Sequence, residues 1–194
     1  MTPLIAKTIL IAGAIAWFII RWPHQRRSWK TPVSKSQRTT REKLLLLSNF
    51  LGLGVIPFVY AFTGFPRFAD YPFQPVLAVI GAVIMALSLA LFYRVHRELG
   101  RNWSDSLQVR ETHTLVTEGL YRYVRHPMYS AFFLWGLAQL FLLPNWIAGP
   151  AGLVGFAILF GFRVGREEQM MIDAFGDQYR AYMGRTARLI PWLY

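Results

Sequence analysis

Residues 74–96 read QPVLAVIGAVIMALSLALFYRVH, and no charge interrupts the run before Arg94. A helix that crosses a bilayer needs about 20 predominantly apolar residues, because a rise of 1.5 Å per residue must cover about 30 Å of hydrocarbon. This stretch meets the requirement alone, so the chain reads as an integral membrane protein. Further apolar runs lie at roughly 3–22, 44–63, 128–143 and 146–165, which makes five candidate spans. Only Leu143, Pro144 and Asn145 separate the last two, and that predicts a tight helical hairpin. Four spans, with the hairpin dipping into the bilayer and returning, is the alternative.

Composition agrees. Of 194 residues, 54% are hydrophobic and 16% charged, with a mean hydropathy of +0.31, a balance more apolar than that of an ordinary soluble domain. The first run resembles a signal peptide in its position near Met1. It is too long for one, contains Lys7 and is followed by no small-residue cleavage site, so it is read as retained. The absence of cysteine excludes disulfides and cysteine-ligated metals.

A net charge of +11 invites a nucleic-acid reading, but the distribution argues against it. Eight Lys or Arg and a single acid, Glu42, fall between Arg21 and Lys43, directly after the first span. The segment after the second span has one base and one acid, and Pro144–Gly149 has neither. Positive charge collects on cytoplasmic loops, so 21–43 is expected inside. Threading five spans then places 97–127 and the C-terminal tail inside as well, with the N-terminus outside. No composition shift or repeat divides the chain, so 1–194 is taken as one domain: three spans with the basic loop in 1–96, and a functional region with the hairpin in 97–194.

Within the second span, Gly52, Gly54 and Pro57 predict close helix contact and a kink. The third span is expected to run to Leu99 and end at Gly100. Segment 108–116 alternates weakly, as an extended stretch would, and Thr117-Glu118-Gly119 signals a turn. An ordered polar loop against helix ends is where function concentrates.

Two clusters could carry chemistry. Arg163, Arg166, Glu167 and Glu168 extend the last apolar helix without a break, and Arg163 lies above Glu167 on one face. They form either a solvated helix end or groups facing a wet cavity, as ionisable residues at such depth usually do. In Tyr121–Ser130, YRYVRHPMYS, Pro127 suits the first turn of a helix whose positive end, with Arg125 and His126, would favour an anion. The competing reading is an aromatic and basic collar in the headgroups. No two histidines have metal-pair spacing and no carboxylate cluster completes a site, so no metal is expected.

The ordered set Leu115-Val116-Thr117-Glu118-Gly119-Leu120-Tyr121, Arg125-His126-Pro127-Met128-Tyr129, a hydrophobic hairpin, then Arg163-x-x-x-Glu167-Glu168 resembles the isoprenylcysteine carboxyl methyltransferase family and its phospholipid methyltransferase relatives. The resemblance covers the last half of the chain, and the length is that of a compact prokaryotic, archaeal-type member. It implies an all-α integral membrane protein of about five transmembrane helices, with a cytosolic loop and C-terminal region that bind S-adenosylmethionine and release S-adenosylhomocysteine. By position, His113, Thr114, Leu115, Val116, Tyr121, His126, Pro127, Met128, Tyr129 and Glu167 would enclose the cofactor, with Gln108 upstream. Arg163 would face the methyl acceptor, and Arg163, Glu167 and Glu168 would form the catalytic set. Ser130-Ala131 stands where many relatives have a glycine. The implied partners are membrane lipids and a lipophilic acceptor such as prenylcysteine, at the cytosolic face of the cell membrane.

The chemistry leaves the acceptor open. A carboxylate with a pKa of about 3.5 is already nucleophilic and needs only a cation to position it. A lipid amine would need Glu167 or Glu168 as a base. An NADPH-dependent membrane reductase and a non-enzymatic lipid-binding protein are the remaining readings.

Overall fold

The computed structural model describes residues 1–29, 35–36, 39–100, 108–109 and 114–192. Each expected apolar run falls on helix, except that residues 146–150, the start of the last run, form a turn and its helix begins at Ala151. Helix α1 spans Pro3–Trp29, α2 Thr40–Phe50, α3 Ile56–Thr63, α4 Pro75–Leu99, α5 Pro127–Leu142, α6 Ala151–Phe175 and α7 Asp177–Met183. Three stretches, Pro3–Ser28, Thr40–Thr63 and Pro75–Leu99, are long and apolar enough to cross a membrane, and α5 is a shorter apolar helix. Their outward faces carry large exposed apolar side chains such as Leu4, Phe62 and Val76, as lipid-facing helices do.

α1 outruns its apolar stretch, passing through Pro23 into what the sequence suggested was loop. Stacking along the helix holds these turns despite the amide proton that Pro23 lacks. Phe18 stacks on Trp22 at 5.3 Å, Arg26 lies over Trp22 at 5.4 Å and Arg21 over Trp17 at 5.0 Å.

The expected kink in the second span is a π-helical turn, Leu51–Val55, joining α2 to α3. Pro57 follows it and has no amide to give the preceding turn, so the chain takes a wider one. Glycine is required here by contact. A Cβ on Gly52 would stand 2.3 Å from the Ala151 carbonyl oxygen, and one on Gly155 2.7 Å from that of Ser48. Gln139, fully buried in α5, donates to the carbonyls of Gly52 at 3.1 Å and Ala148 at 2.7 Å, so the irregular turn stays hydrogen-bonded away from water.

α4 ends at Leu99, and Gly100 follows at φ +50°. α4 packs closely on α5, where the Ser88 hydroxyl donates to the Ala131 carbonyl at 2.8 Å. At the hairpin between α5 and α6, buried Asn145 donates to Pro66 O and Asp70 Oδ1, both at 2.8 Å. Its own oxygen accepts from the amides of Ile147 and Ala148.

At the opposite end the polar segments knit together. Lys35–Ser36 and Gln108–Val109 pair as two short antiparallel strands, β1 and β2. The C-terminal segment returns along the entry to α5, with Arg125 N donating to Ala187 O at 2.8 Å and His126 N to Arg188 O at 3.0 Å. Ser130 donates through its hydroxyl to Leu189 O at 2.6 Å.

Candidate active site

The last charged turns of α6 meet the first turn of α5. Tyr129 Oη donates to Glu167 Oε2 at 2.7 Å, and Arg163 Nε lies 3.5 Å from the same oxygen. His126 sits between the two carboxylates, with Nδ1 3.7 Å from Glu167 and Nε2 3.4 Å from Glu168. Glu168 also accepts from Arg125 Nε at 2.9 Å and Arg188 Nη2 at 2.8 Å. Arg125 in turn donates to the carbonyls of Met183 and Thr186. Glu168 therefore fastens α6 to the α5 entry and to the C-terminal segment.

The electrostatics follow from these contacts. Burial disfavours charge on Glu167, but His126, Arg163 and Tyr129 outweigh it and hold the carboxyl at about 2. Glu168 is likewise held at about 2, with hydrogen bonds from His126, Arg188 and Arg125 overcoming burial. Burial pulls the His126 pKa down, yet the two carboxylates win and raise it, so the imidazolium form is favoured.

A cavity of about 610 Å³ opens on this cluster, within the usual range for small-molecule sites. Its polar end is lined by Val116, Tyr121, His126, Tyr129, Arg163 and Glu167. From there an apolar arm runs between α1, the second span (α2, its π-helical turn and α3) and α5, past Trp17, Phe50, Leu53, Gly54, Phe58 and Trp135. Glu167 is the carboxylate that faces the space, its side chain 28% exposed, whereas that of Glu168 is 4% exposed.

Of the residues singled out in the sequence, Thr114, Leu115, Val116, Tyr121, His126, Pro127, Met128, Tyr129, Arg163 and Glu167 all border the cavity. His113 lies outside the described residues, as does the side chain of Gln108, whose backbone pairs in β2. Arg125 also borders the cavity, while Glu168 and two carbonyls engage its guanidinium.

Other participants carried no usable sequence signal. Tyr179 and Tyr182 of α7 line the polar end, and Tyr182 Oη donates to Tyr121 O at 2.6 Å. Glu42, counted in the sequence as the lone acid of a basic loop, is 1% exposed and lies 2.9 Å from Arg163 Nη1. The apolar arm comes largely from the first two spans, which carry no motif.

The fold is shared with the solved structure of the eukaryotic intramembrane Ras methyltransferase ICMT (isoprenylcysteine carboxyl methyltransferase). That match has a TM-score of 0.56 at 24% identity and covers 81% of this chain and 54% of the other. An all-helical membrane protein with a polar cluster opening on an apolar arm is thus the class that fold and site define. Residues 79–173 match the isoprenylcysteine carboxyl methyltransferase (ICMT) family.

Among curated relatives, protein-S-isoprenylcysteine O-methyltransferase of Schizosaccharomyces pombe is 38% identical over 79 residues, covering 41% of this chain and 34% of the relative. Protein-S-isoprenylcysteine O-methyltransferase B of Arabidopsis thaliana is 34% identical over 100 residues, 48% of this chain and 49% of the relative. The human protein-S-isoprenylcysteine O-methyltransferase is 30% identical over 119 residues, 60% of this chain and 42% of the relative. The matched regions thus span between about a third and a half of the length of these relatives.

Proposed function

We propose that the protein is an S-adenosylmethionine-dependent methyltransferase that esterifies the carboxyl of a prenylated cysteine, or of a similar lipidic acid, at the cytosolic membrane face, the whole chain acting as one domain. The observation that carries this reading is the single cavity that joins the Arg163–Glu167–Tyr129–His126 cluster to an apolar arm between helices. A polar acceptor group and a long hydrocarbon can share it.

The residues present fit the cofactor. The carboxylate of Glu167 faces the space and matches an ammonium or a sulfonium, and Val116, Tyr121, Met170 and Tyr179 offer apolar and aromatic surface for a flat base. S-adenosylmethionine supplies an electrophilic methyl on a sulfonium. Methyl transfer to a carboxylate neutralises both charges, so a site that excludes water from both favours it. Arg163 borders the cavity and would orient the acceptor carboxylate without any proton transfer. Glu167, held at about 2, is a poor base, which favours a carboxylate acceptor over a lipid amine. Glu168, tied to Arg125 and Arg188, would act by positioning this machinery. The sidedness rests on the basic residues at the site end of the bundle, including Arg26, Arg27, Arg41 and Arg97.

The test is calorimetry with S-adenosylhomocysteine on detergent-purified protein, wild type beside Glu167→Gln, followed by methyl transfer to farnesylcysteine and to phosphatidylethanolamine. Saturable binding weakened by the substitution, with turnover of farnesylcysteine, is expected. Turnover of phosphatidylethanolamine alone would make it an N-methyltransferase. Absent binding by folded protein would overturn the reading, and NADPH would be tried next.

A further inference from the structure

Glu42 sits where a local bond was available to it. Thr39 caps α2, its hydroxyl accepting from Glu42 N at 3.2 Å. Thr39-x-x-Glu42 has the spacing of a reciprocal capping box, in which the glutamate would reach back to the cap's amide. It does not, because among the described residues neither Glu42 carboxylate oxygen has a hydrogen-bond partner. The side chain turns inward instead, to ion-pair distance of Arg163 Nη1 at 2.9 Å, with Glu42 1% exposed. A buried charge pair this poorly hydrogen-bonded is costly, the more so in a membrane protein.

Arg163 is consequently held between two carboxylates that act differently. Glu167 follows it by one turn on the same helix and faces the cavity; Glu42 comes from another helix and does not line the cavity. Glu42 also lies outside the residues that match the family, 79–173. Resting on the reading of Arg163 as the group that orients the acceptor carboxylate, we propose that Glu42 is a positioning residue: it anchors the Arg163 guanidinium and offsets its charge.

The offset has a kinetic consequence. Acceptor carboxylate charge is full in the ground state and disappears as the methyl transfers, so a strong cation grips the ground state more than the transition state. Removing the Glu42 charge leaves Arg163 with a tighter hold on the bound acceptor. Acceptor KM and kcat should then fall together, a pattern that signals lost ground-state destabilisation rather than lost structure.

The experiment compares wild type, Glu42→Gln, Glu42→Asp, Arg163→Ala and the double variant Glu42→Gln/Arg163→Ala, measuring acceptor KM and kcat with farnesylcysteine and S-adenosylhomocysteine affinity by calorimetry. For Glu42→Gln the expected result is a severalfold lower acceptor KM and a roughly tenfold lower kcat, with S-adenosylhomocysteine affinity unchanged within about threefold. Glu42→Asp keeps the charge and should retain more of the wild-type kcat. In the Arg163→Ala background Glu42→Gln should add nothing, because it acts through that side chain. Thr39→Ala serves as control: it removes the cap and lowers stability without changing the kinetic split. Unchanged kinetics, a raised KM, parallel loss of cofactor affinity or full additivity with Arg163→Ala would each overturn the proposal. So would a Glu42→Gln variant that fails to fold, if Glu42→Asp folds and shows no change. Silence of the wild type towards every acceptor would instead overturn the parent reading.

Discussion

Tyr129 Oη donates to Glu167 Oε2 at 2.7 Å and so ties the first turn of α5 to the charged turns of α6. Tyr129 is 5% exposed, and the carboxylate it holds is the one that opens on the cavity. For Tyr129→Phe, S-adenosylhomocysteine affinity should drop about tenfold, equivalent to ~1.4 kcal/mol for one hydrogen bond to a charged group. Calorimetry on the detergent-purified variant checks this, and affinity within twofold of wild type would refute it.

Glu168 should behave differently from Glu167. Its loss leaves the buried Arg125 charge, 8% exposed, without a carboxylate and removes the carboxylate that holds Arg188, which is 35% exposed. Breaking such a pair costs about 3 kcal/mol when one partner stays buried. Glu168→Gln is therefore expected to lower the Tm by several degrees while protein still folded at low temperature binds S-adenosylhomocysteine. A Tm equal to that of wild type would remove its structural role.

The same groups set a pH window. Glu167 and Glu168 have folded pKa values lowered from 4.5 to about 2, so their contribution is complete above about 4.5 and is lost as pH falls toward 2. The His126 pKa is raised from 6.5, so its contribution is complete below 6.5 and is lost as pH climbs through the folded value. Thermal unfolding in detergent across this range should give a broad maximum between the two limits. Glu168→Gln should flatten the acid limb, and an unaltered acid limb would contradict this assignment.

Gly54 borders the apolar arm beside Phe58, and among the described residues a Cβ there would meet only the Phe50 ring at 3.6 Å. A larger side chain can therefore be accommodated by filling the arm. With Gly54→Leu, turnover should be lost for geranylgeranyl acceptors first, then farnesyl, with geranyl acceptors least affected. Uniform loss across the series would mean that the arm does not receive the hydrocarbon.

Much of this protein was legible from local pattern. Residues 75–99 read as helix because an uninterrupted apolar run of that length satisfies its backbone in hydrocarbon within its own segment only as a helix, and Gly100 and Pro127 marked boundaries through their own φ preferences. Arg163 above Glu167 followed from helical spacing, and the ordered Gly119 to Tyr129 motif pointed to the polar end of the cavity.

What spacing could not supply were partners brought from a distance. Glu42 reads as a lone acid among bases until α2 packs on α6 and sets it against Arg163, and Glu168 reads as a twin of Glu167 until Arg125 and Arg188 close on it. The arm past Trp17, Leu53 and Gly54 has no signature either, since any apolar side chain can face lipid or a cavity equally well. The sequence by itself determined which segments are apolar and where charge could sit along each helix, because those depend on hydropathy and a fixed rise and turn. Only the tertiary structure decided which charges meet and which apolar faces enclose a space, because both depend on contacts between residues far apart in the chain.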